Sequence, residues 1–403
     1  MKRHVLFTLL FVMLITPFTV HTAEAKKAKK VSVKSFVTQA AKISGANQDD
    51  LLKAAGIKMT SKKLSNENAA VILNEADKLL NVDEFSKVRY DAVVKKKRIS
   101  DRSKIAGTKR ESVYQCFAKG LMVGENNGKF THARSFHPKA AVTKSEAKIY
   151  LTRLKDVKSR IKLTEDGQVT RKINLPKNYK HYPYILASFP NSFYEGKFWY
   201  QQVTYCSSGK FTDYRTPKNL RKKQDPICAW TDDTAKEILD TYQDQYIALL
   251  EKNLRTRFSY NYKKTNTKQF IQTMLNTYSC SNRNPSEAKE MEKDLREYVK
   301  GAKKNHVELT CKRVCIDPSM IYRFSGSLVF RCAVTFKVNA DTIYPKESNG
   351  RYEQYKMIYG DEGHVRIPGI KKNQYITRYF DIDLDPSLLP EDWRIFKNDL
   401  ASY

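Results

Sequence analysis

Cys116-Phe117-Ala118-Lys119-Gly120-Leu121-Met122-Val123-Gly124 opens a stretch that runs on through Gly128-Lys129-Phe130 and Phe136-His137-Pro138 and closes on Val142-Thr143-Lys144-Ser145-Glu146-Ala147. From Glu111, the residues Val113, Cys116 and Phe117 fall on one side of a short helix. Gly120 stands where such a helix ends in a left-handed residue. Gly124, Asn126, Asn127 and Gly128 mark a turn, and a loop carrying Phe130, Phe136 and Pro138 follows. Thr143 with Glu146 three residues later is a capping box, worth ~1 kcal/mol to a helix. Ala147, Tyr150, Leu151 and Leu154 give that helix a buried face.

The preceding residues repeat this plan. Val33, Phe36, Val37, Ala40 and Ala41 recur at helical spacing. Leu51 to Ile57 reads as a short helix ended by Gly56, and Ser65 caps a helix whose apolar face is Ala69, Ala70, Leu73, Ala76 and Leu80. Residues 31–80 and 86–155 are therefore expected to be two copies of one unit: helix, glycine turn, loop, capped helix. Lys26 to Lys34 reads as a flexible basic lead-in.

The second copy resembles an S-layer homology module. That family's pattern is a glycine pair around an apolar step, a Phe-x-Pro loop, and an Ile-Thr-Arg-Ala-Glu helix start. Gly120 and Gly124, Phe136-His137-Pro138 and Val142-Thr143-Lys144-Ser145-Glu146 match it in order, with Lys144 in the Arg position. In the degenerate first copy, Leu64-Ser65-Asn66-Glu67-Asn68 occupies the helix start, with Asn66 in the basic position. The resemblance covers about 125 residues, 31–155. It implies a bacterial surface protein held non-covalently on an anionic or pyruvylated secondary wall polymer, with Thr143, Lys144, Glu146, Gly120 and Gly124 at the glycan site. Such modules usually come in threes. Two are legible here, so self-association into a homo-oligomer is the natural way to complete a third prong.

The residues themselves allow two readings of this helix start. A capping box alone explains Thr143 and Glu146. It leaves Lys144 unexplained, because a cation at the first helical position is mildly unfavourable against the helix dipole. Free N–H groups at a helix start bind anions, and a neighbouring ammonium strengthens that.

Composition agrees with an anionic partner. The chain has 403 residues, with 73 Lys plus Arg against 43 Asp plus Glu, a formal charge of +30. An excess that large implies a polyanionic partner or working surface. At roughly 100–200 residues per domain, two or three domains are expected. Met1-Lys2-Arg3-His4, the apolar run Val5 to Val20 and Ala23-Glu24-Ala25 have the layout of a secretory signal peptide over residues 1–25, cleaved after Ala25. Export turns the charge away from nucleic acid and toward wall polymer. No second apolar run is long enough to span a membrane. Seven cysteines leave at least one unpaired, with Cys206–Cys228 and Cys315–Cys332 as the candidate bridges.

The fold class expected is α+β. Residues 160–225 form an aromatic-rich strand and loop segment, with twelve aromatics from Tyr179 to Tyr214 that either fill a core or stack on sugar rings. Over 232–403, Thr234-x-x-Glu237 reads as the capping box of a long amphipathic helix. Helices at about 267–278 and 286–301 follow. Leu328, Phe330, Cys332, Val334, Phe336 and Val338 then alternate with Arg331, Thr335 and Lys337, which predicts a strand with one buried face. Further strands are expected at 352–359 and 374–384. A cone-like sheet wrapped on a helix, as in cystatin or nuclear-transport-factor folds, is the arrangement this order suggests.

Enzyme signatures are absent: the sequence has no HExxH, G-x-S-x-G, Walker loop or G-x-G-x-x-G. No metal, cofactor or catalytic residue is assigned. Asp381-x-Asp383-x-Asp385 has carboxylates at alternate positions, read as a solvated strand face or, without the Gly and Glu of an EF-hand, a calcium ligand set. Cys206 or Cys228 with His181 is the one pair left for nucleophilic chemistry. The rival functions are a wall-polysaccharide-active enzyme targeted by the same modules, and a self-associating surface-layer protein or adhesin.

Overall fold

The computed structural model describes residues 28–81, 86–196, 203–207, 210–214, 227–280, 284–324, 326–343, 358, 369–396 and 401–402. The expected signal peptide, the basic linker Leu220 to Gln224 and all of the expected strand 352–359 except Ile358 lie outside the described residues. The N-terminal unit is built from α1 (Val33–Ser44), α2 (Gln48–Ala55), α3 (Asn66–Leu80), α4 (Lys87–Lys95), α5 (Arg110–Ala118) and α6 (Lys144–Lys155).

Three of these helices start at one hub. Ser32, Ser65 and Thr143 cap α1, α3 and α6 with nearly the same extended backbone, at ψ 159, 157 and 160°. The apolar residue before each cap goes to a common axis. There the Val31 N–H donates to the Val142 carbonyl (3.0 Å), Leu64 to Val31 (2.9 Å) and Val142 to Leu64 (2.8 Å), closing a ring. Two residues on, Val33 donates to Lys62, Asn66 to Ala140 and Lys144 to Lys29, repeating the three-fold relation. Val31, Leu64 and Val142 are all buried. One expectation changes. Residues 29–34 are not a loose lead-in, because their backbone is one side of the ring. A third capped helix start, at Ser32, joins those at Ser65 and Thr143 within this one chain.

One apolar core runs through both sequence copies, from Phe36 and Leu52 to Phe117 and Leu154. Inside it lies a charged knot. The Asp77 carboxylate, fully buried on α3, takes the ammonium of Lys119 (2.7 Å) and the guanidinium of Arg160. Both cations are themselves nearly buried. This ties α3 to the end of α5 and to the chain leaving α6.

The C-terminal half is α+β as expected. Its helices are α8 (Asp233–Arg257), α9 (Thr267–Leu275) and α10 (Pro285–Lys304), after the short α7 (Asn191–Glu195). Short β1 (Glu125–Asn126) pairs with β2 (Arg134–Ser135), and β3 (Val203–Ser207) with β4 (Lys210–Tyr214). The main sheet is antiparallel, in the order β5 (Ile227–Cys228), β6 (Glu308–Phe324), β7 (Ser327–Asn339), β8 (Ile376–Leu384), β9 (Ala401–Ser402). On one face Tyr246 and Phe258, from α8 and its end, meet Phe330, Phe336 and Phe380 of the sheet. The cap of α8 is Asp232, not Thr234. Its carboxylate accepts from the Ala235 N–H and also pairs with Arg323 of β6, a charge partner that Thr234 lacks.

The other sheet face corrects several expectations. β7 is buried on both faces, because Phe189, Phe193, Tyr194 and Phe130 pack against Ala333, Cys315 and Met320 from outside. Phe189, Phe193 and Tyr194 of the aromatic segment are thus core, whereas Tyr179 is exposed. Arg331, expected at the surface, is fully buried. Its Nε and Nη2 grip Asp381 (2.7 and 2.9 Å), and its Nη1 donates to the carbonyls of Phe193 and Gly196. Asp381 is therefore neither solvated nor a calcium ligand, and Asp385 is buried as well, accepting from the Ser387 N–H. Cys315 belongs to the outer cluster and Cys332 to the inner one, so they lie on opposite sheet faces and do not bridge. Cys228 is a free thiol, so the expected Cys206–Cys228 bridge is absent.

Two stability predictions follow from the buried charges. Asp77→Asn removes the carboxylate that binds two buried cations. It is expected to cost about 3–5 kcal/mol in a urea melt; a loss under about 1 kcal/mol counts against this role. Asp317, where Tyr194 donates from the covering segment, is pushed up from 3.8 to about 6 by burial, which its hydrogen bonds from Tyr194 and Ser319 only partly offset. The folded state then holds a proton that the unfolded chain releases. Stability due to this group is full below pH 4 and falls through pH 6 by on the order of 2–3 kcal/mol. The difference between wild type and Asp317→Asn in melts at pH 4 and pH 7 measures it; a difference that moves the other way contradicts the assignment.

Candidate polyanion-binding site

The hub fixes what each helix start can offer. At α1, the N–H groups of Val33, Lys34 and Ser35 are taken by Lys62, Thr60 and the Ser32 hydroxyl. At α3, those of Asn66, Glu67 and Asn68 are taken by Ala140, Pro138 and Ser65. At α6, Lys144 N–H goes to Lys29 and Glu146 N–H to Thr143 Oγ1, leaving Ser145 N–H without a partner among the described residues. The expected cluster of free amides is thus largely consumed, because the three-fold pairing that brings the helix starts together uses the same donors.

Most of the sequence-assigned residues have a structural explanation. Thr143 and Glu146 form the reciprocal box, with Glu146 Oε2 accepting from the Thr143 N–H (2.7 Å). Gly120, at φ +71°, lies so close to Ile161 that a Cβ would sit 2.1 Å from its carbonyl oxygen. Gly124, at φ +62°, would place a Cβ 2.4 Å from the Ser135 oxygen. These glycines let segments pass closely; nothing shows them facing a ligand. Lys144 is different, since its side chain is exposed and makes no ion pair among the described residues.

Lys144 has company that the linear reading missed. Its backbone neighbours in the ring bring Lys29, Lys30, Lys34, Lys62 and Lys63 to the same end of the unit. All are exposed, and none forms an ion pair among the described residues. Lys139 is the exception, bonded to Glu67 at 2.6 Å. Glu67 is buried beside Lys109 and Lys139. Burial pushes its carboxyl up, but those two ammonium groups and the Ala106 N–H outweigh it, so its pKa is lowered and it remains an anion. Asp101 also escaped the sequence reading; it accepts from both Phe136 and His137 N–H (2.8 Å each) and so shapes the Phe-x-Pro loop. The signal available for the lysines was their local density, read then as lead-in.

The pair left for nucleophilic chemistry, Cys206 or Cys228 with His181, is described only in part. The thiol of Cys228 is pushed up by burial, away from a reactive thiolate, and His181 is exposed. The Cys206 side chain lies outside the described residues. His132 is driven down to about 4 by burial and the charge of Arg98, and it is bonded to Gln168. Among the described residues no group of three or more His, Cys, Asp or Glu is placed to hold a metal ion, and no helix is long and apolar enough to cross a membrane. No protein-family model, no curated protein and no solved structure matches the chain.

The steric role of Gly120 is testable. Gly120→Ala is expected to destabilise the N-terminal unit by roughly 2 kcal/mol or more through strain at positive φ and the clash with Ile161, while Lys144→Ala leaves stability within about 0.5 kcal/mol. Thermal melts of both variants check it, and equal effects would contradict the division between scaffold and surface.

Proposed function

We propose that this is an exported cell-surface protein whose N-terminal unit attaches it, non-covalently, to an anionic wall polysaccharide. The carrying observation is the joining of three capped helix starts in one ring, with six exposed lysines around it that form no ion pair among the described residues. Each helix presents the positive end of its dipole there, worth a few tenths to about 1 kcal/mol toward an anion. Like charges held together repel, and a polyanion relieves this while releasing its own counterions. The chain's charge of +30 supports the reading. The three-fold arrangement also supports the likeness to S-layer homology modules, with Val31-Ser32-Val33-Lys34-Ser35 as a third, diverged helix start.

In this reading Lys144 contacts the glycan, and Lys30 and Lys63 extend the contact. Thr143 and Glu146 hold the helix that carries Lys144, and Gly120 and Gly124 shape the scaffold. The C-terminal half is displayed, with a long helix against an antiparallel sheet that keeps a cystatin-like or nuclear-transport-factor-like arrangement in play.

Co-sedimentation of the protein with purified cell walls tests the proposal. At about 1 kcal/mol per lysine near an anionic surface, Lys144→Ala weakens retention roughly five-fold. Lys30→Ala, Lys63→Ala and Lys144→Ala together weaken it on the order of 100-fold, and salt at ~0.5 M abolishes most of it, as screening requires. Retention indifferent to both the triple variant and salt would sink the reading.

A further inference from the structure

The unit and the sheet meet at a cleft that the wall-binding reading does not use. It is a cavity of about 340 Å³ where the Lys129–Phe130 loop, the start of α7 and the outer face of the sheet come together. Ligand pockets begin at about this size, roughly 300 Å³. We propose that it is a second anion site, shaped for an acidic sugar: a single ring bearing a carboxylate or a phosphate.

Charge supports the anion. Lys129, Lys312 and Arg313 line the cleft, and among the described residues no carboxylate does. Arg313 spends one Nη1 bond on the Lys129 carbonyl (2.6 Å), leaving Nε and Nη2 without a hydrogen bond among the described residues. Arginine presents a fork suited to a bidentate oxyanion. Just outside, Lys312 and Lys337 both lie near the ring of Tyr375 (5.2 and 5.5 Å), which keeps the approach positive.

Hydroxyls support the sugar. Ser192 pairs with Tyr379 (3.0 Å), and Thr335 with Thr377 across two strands (2.8 Å). Each pair holds two protons and uses one internally, so each has one donor left, plus free lone pairs. That is the complement a polyol ring asks for. Phe130 and Tyr379, packed edge to face at 5.6 Å, add an aromatic wall.

The walls are fixed in place. Phe130 sits at φ +53°, a left-handed conformation that an aromatic residue adopts only when its surroundings enforce it. Its N–H donates to Ser188 (2.8 Å), and its carbonyl accepts from the Cys315 thiol (2.7 Å). Its ring is locked against Phe189 and Phe193. This holds Lys129 at the rim over β6. A preformed site of this kind spends little binding energy on ordering.

Calorimetric titration of the full chain with glucuronate, glucose 6-phosphate, inorganic phosphate and neutral glucose tests the site. Saturable binding of glucuronate or glucose 6-phosphate is expected, with glucose at least ten-fold weaker. The tighter of the two acids tells a carboxylate source from a phosphate source. Lys312→Gln with Arg313→Gln should weaken binding ten-fold or more. Thr335→Val with Thr377→Val, which leaves charge untouched, should weaken it several-fold with an unchanged melting temperature. Lys144→Ala should change nothing, which separates this result from the wall-binding test. Absence of saturable binding, glucose binding as well as the acids, or affinity indifferent to both double variants would overturn the proposal. Inorganic phosphate matching glucose 6-phosphate would overturn the sugar assignment.

Discussion

Three backbone hydrogen bonds, Val31 to Val142, Leu64 to Val31 and Val142 to Leu64, hold the N-terminal unit to its shape. Each is worth only about 1 kcal/mol net. Their importance is geometric. A ring closes only if all three extended segments arrive in the same register, and each segment leads straight into a helix cap. The ring therefore fixes the directions of α1, α3 and α6 together, and the core between them follows. The ring also explains the charge pattern. Side chains flanking an axis filled by Val, Leu and Val must point outward, so the lysines of three distant segments end up on one surface.

The second constraint is the joint between the two halves. An Arg–Asp pair fully buried in a sheet is weak support for stability in general, because desolvating two charges offsets their attraction. Here Arg331 does more than pair with Asp381. Its Nη1 also donates to the carbonyls of Phe193 and Gly196, so the pair formed across β7 and β8 also ties the aromatic segment to the sheet. The same segment brings Tyr194 to Asp317 and, through Ser188, anchors the Phe130 loop. Separate polar contacts thus register one cover on one sheet face. The cleft beside Arg313 is a consequence of that registration.

What the sequence revealed was local. The face of α1, the glycine end of α2, the Ser65 and Thr143 caps, α8 to α10 and the existence of strand β7 are all written within a few turns of chain, and each is present. What it hid was long-range. Nothing in the periodicity near Val31 says that its partners are Leu64 and Val142. The helix start at Ser32 carries Val33 and Ser35 where the matching string has Lys144 and Glu146, so the motif did not mark it. Arg331 sits at an alternate position of a strand, where a charged residue normally faces water; its cover comes from Phe193, 138 residues earlier. The candidate site was legible only in part, because Lys144 was visible as an oddity while the lysines that give it meaning come from other segments.

Taken together, the hub and the cleft place two cationic surfaces on one chain, and their physics differs in a way that matters for a polymer partner. The hub is open, flexible in its lysine tips, and built from ammonium groups that accept any dense negative charge. It favours rapid, salt-sensitive attachment with little discrimination. The cleft is half open, is walled by packed side chains and carries a guanidinium and paired hydroxyls, so in the proposal it selects by shape and hydrogen bonding. If both proposed sites bind, a polymer whose units carry charge and hydroxyls would engage the second surface at high effective concentration once the first has captured it, and avidity would then exceed either contact alone. On the two proposals together, a neutral polymer would be rejected at the hub and a featureless polyanion would gain nothing at the cleft. Discrimination would then arise because the hub supplies charge density and the cleft supplies oriented hydrogen-bonding groups, and neither supplies both.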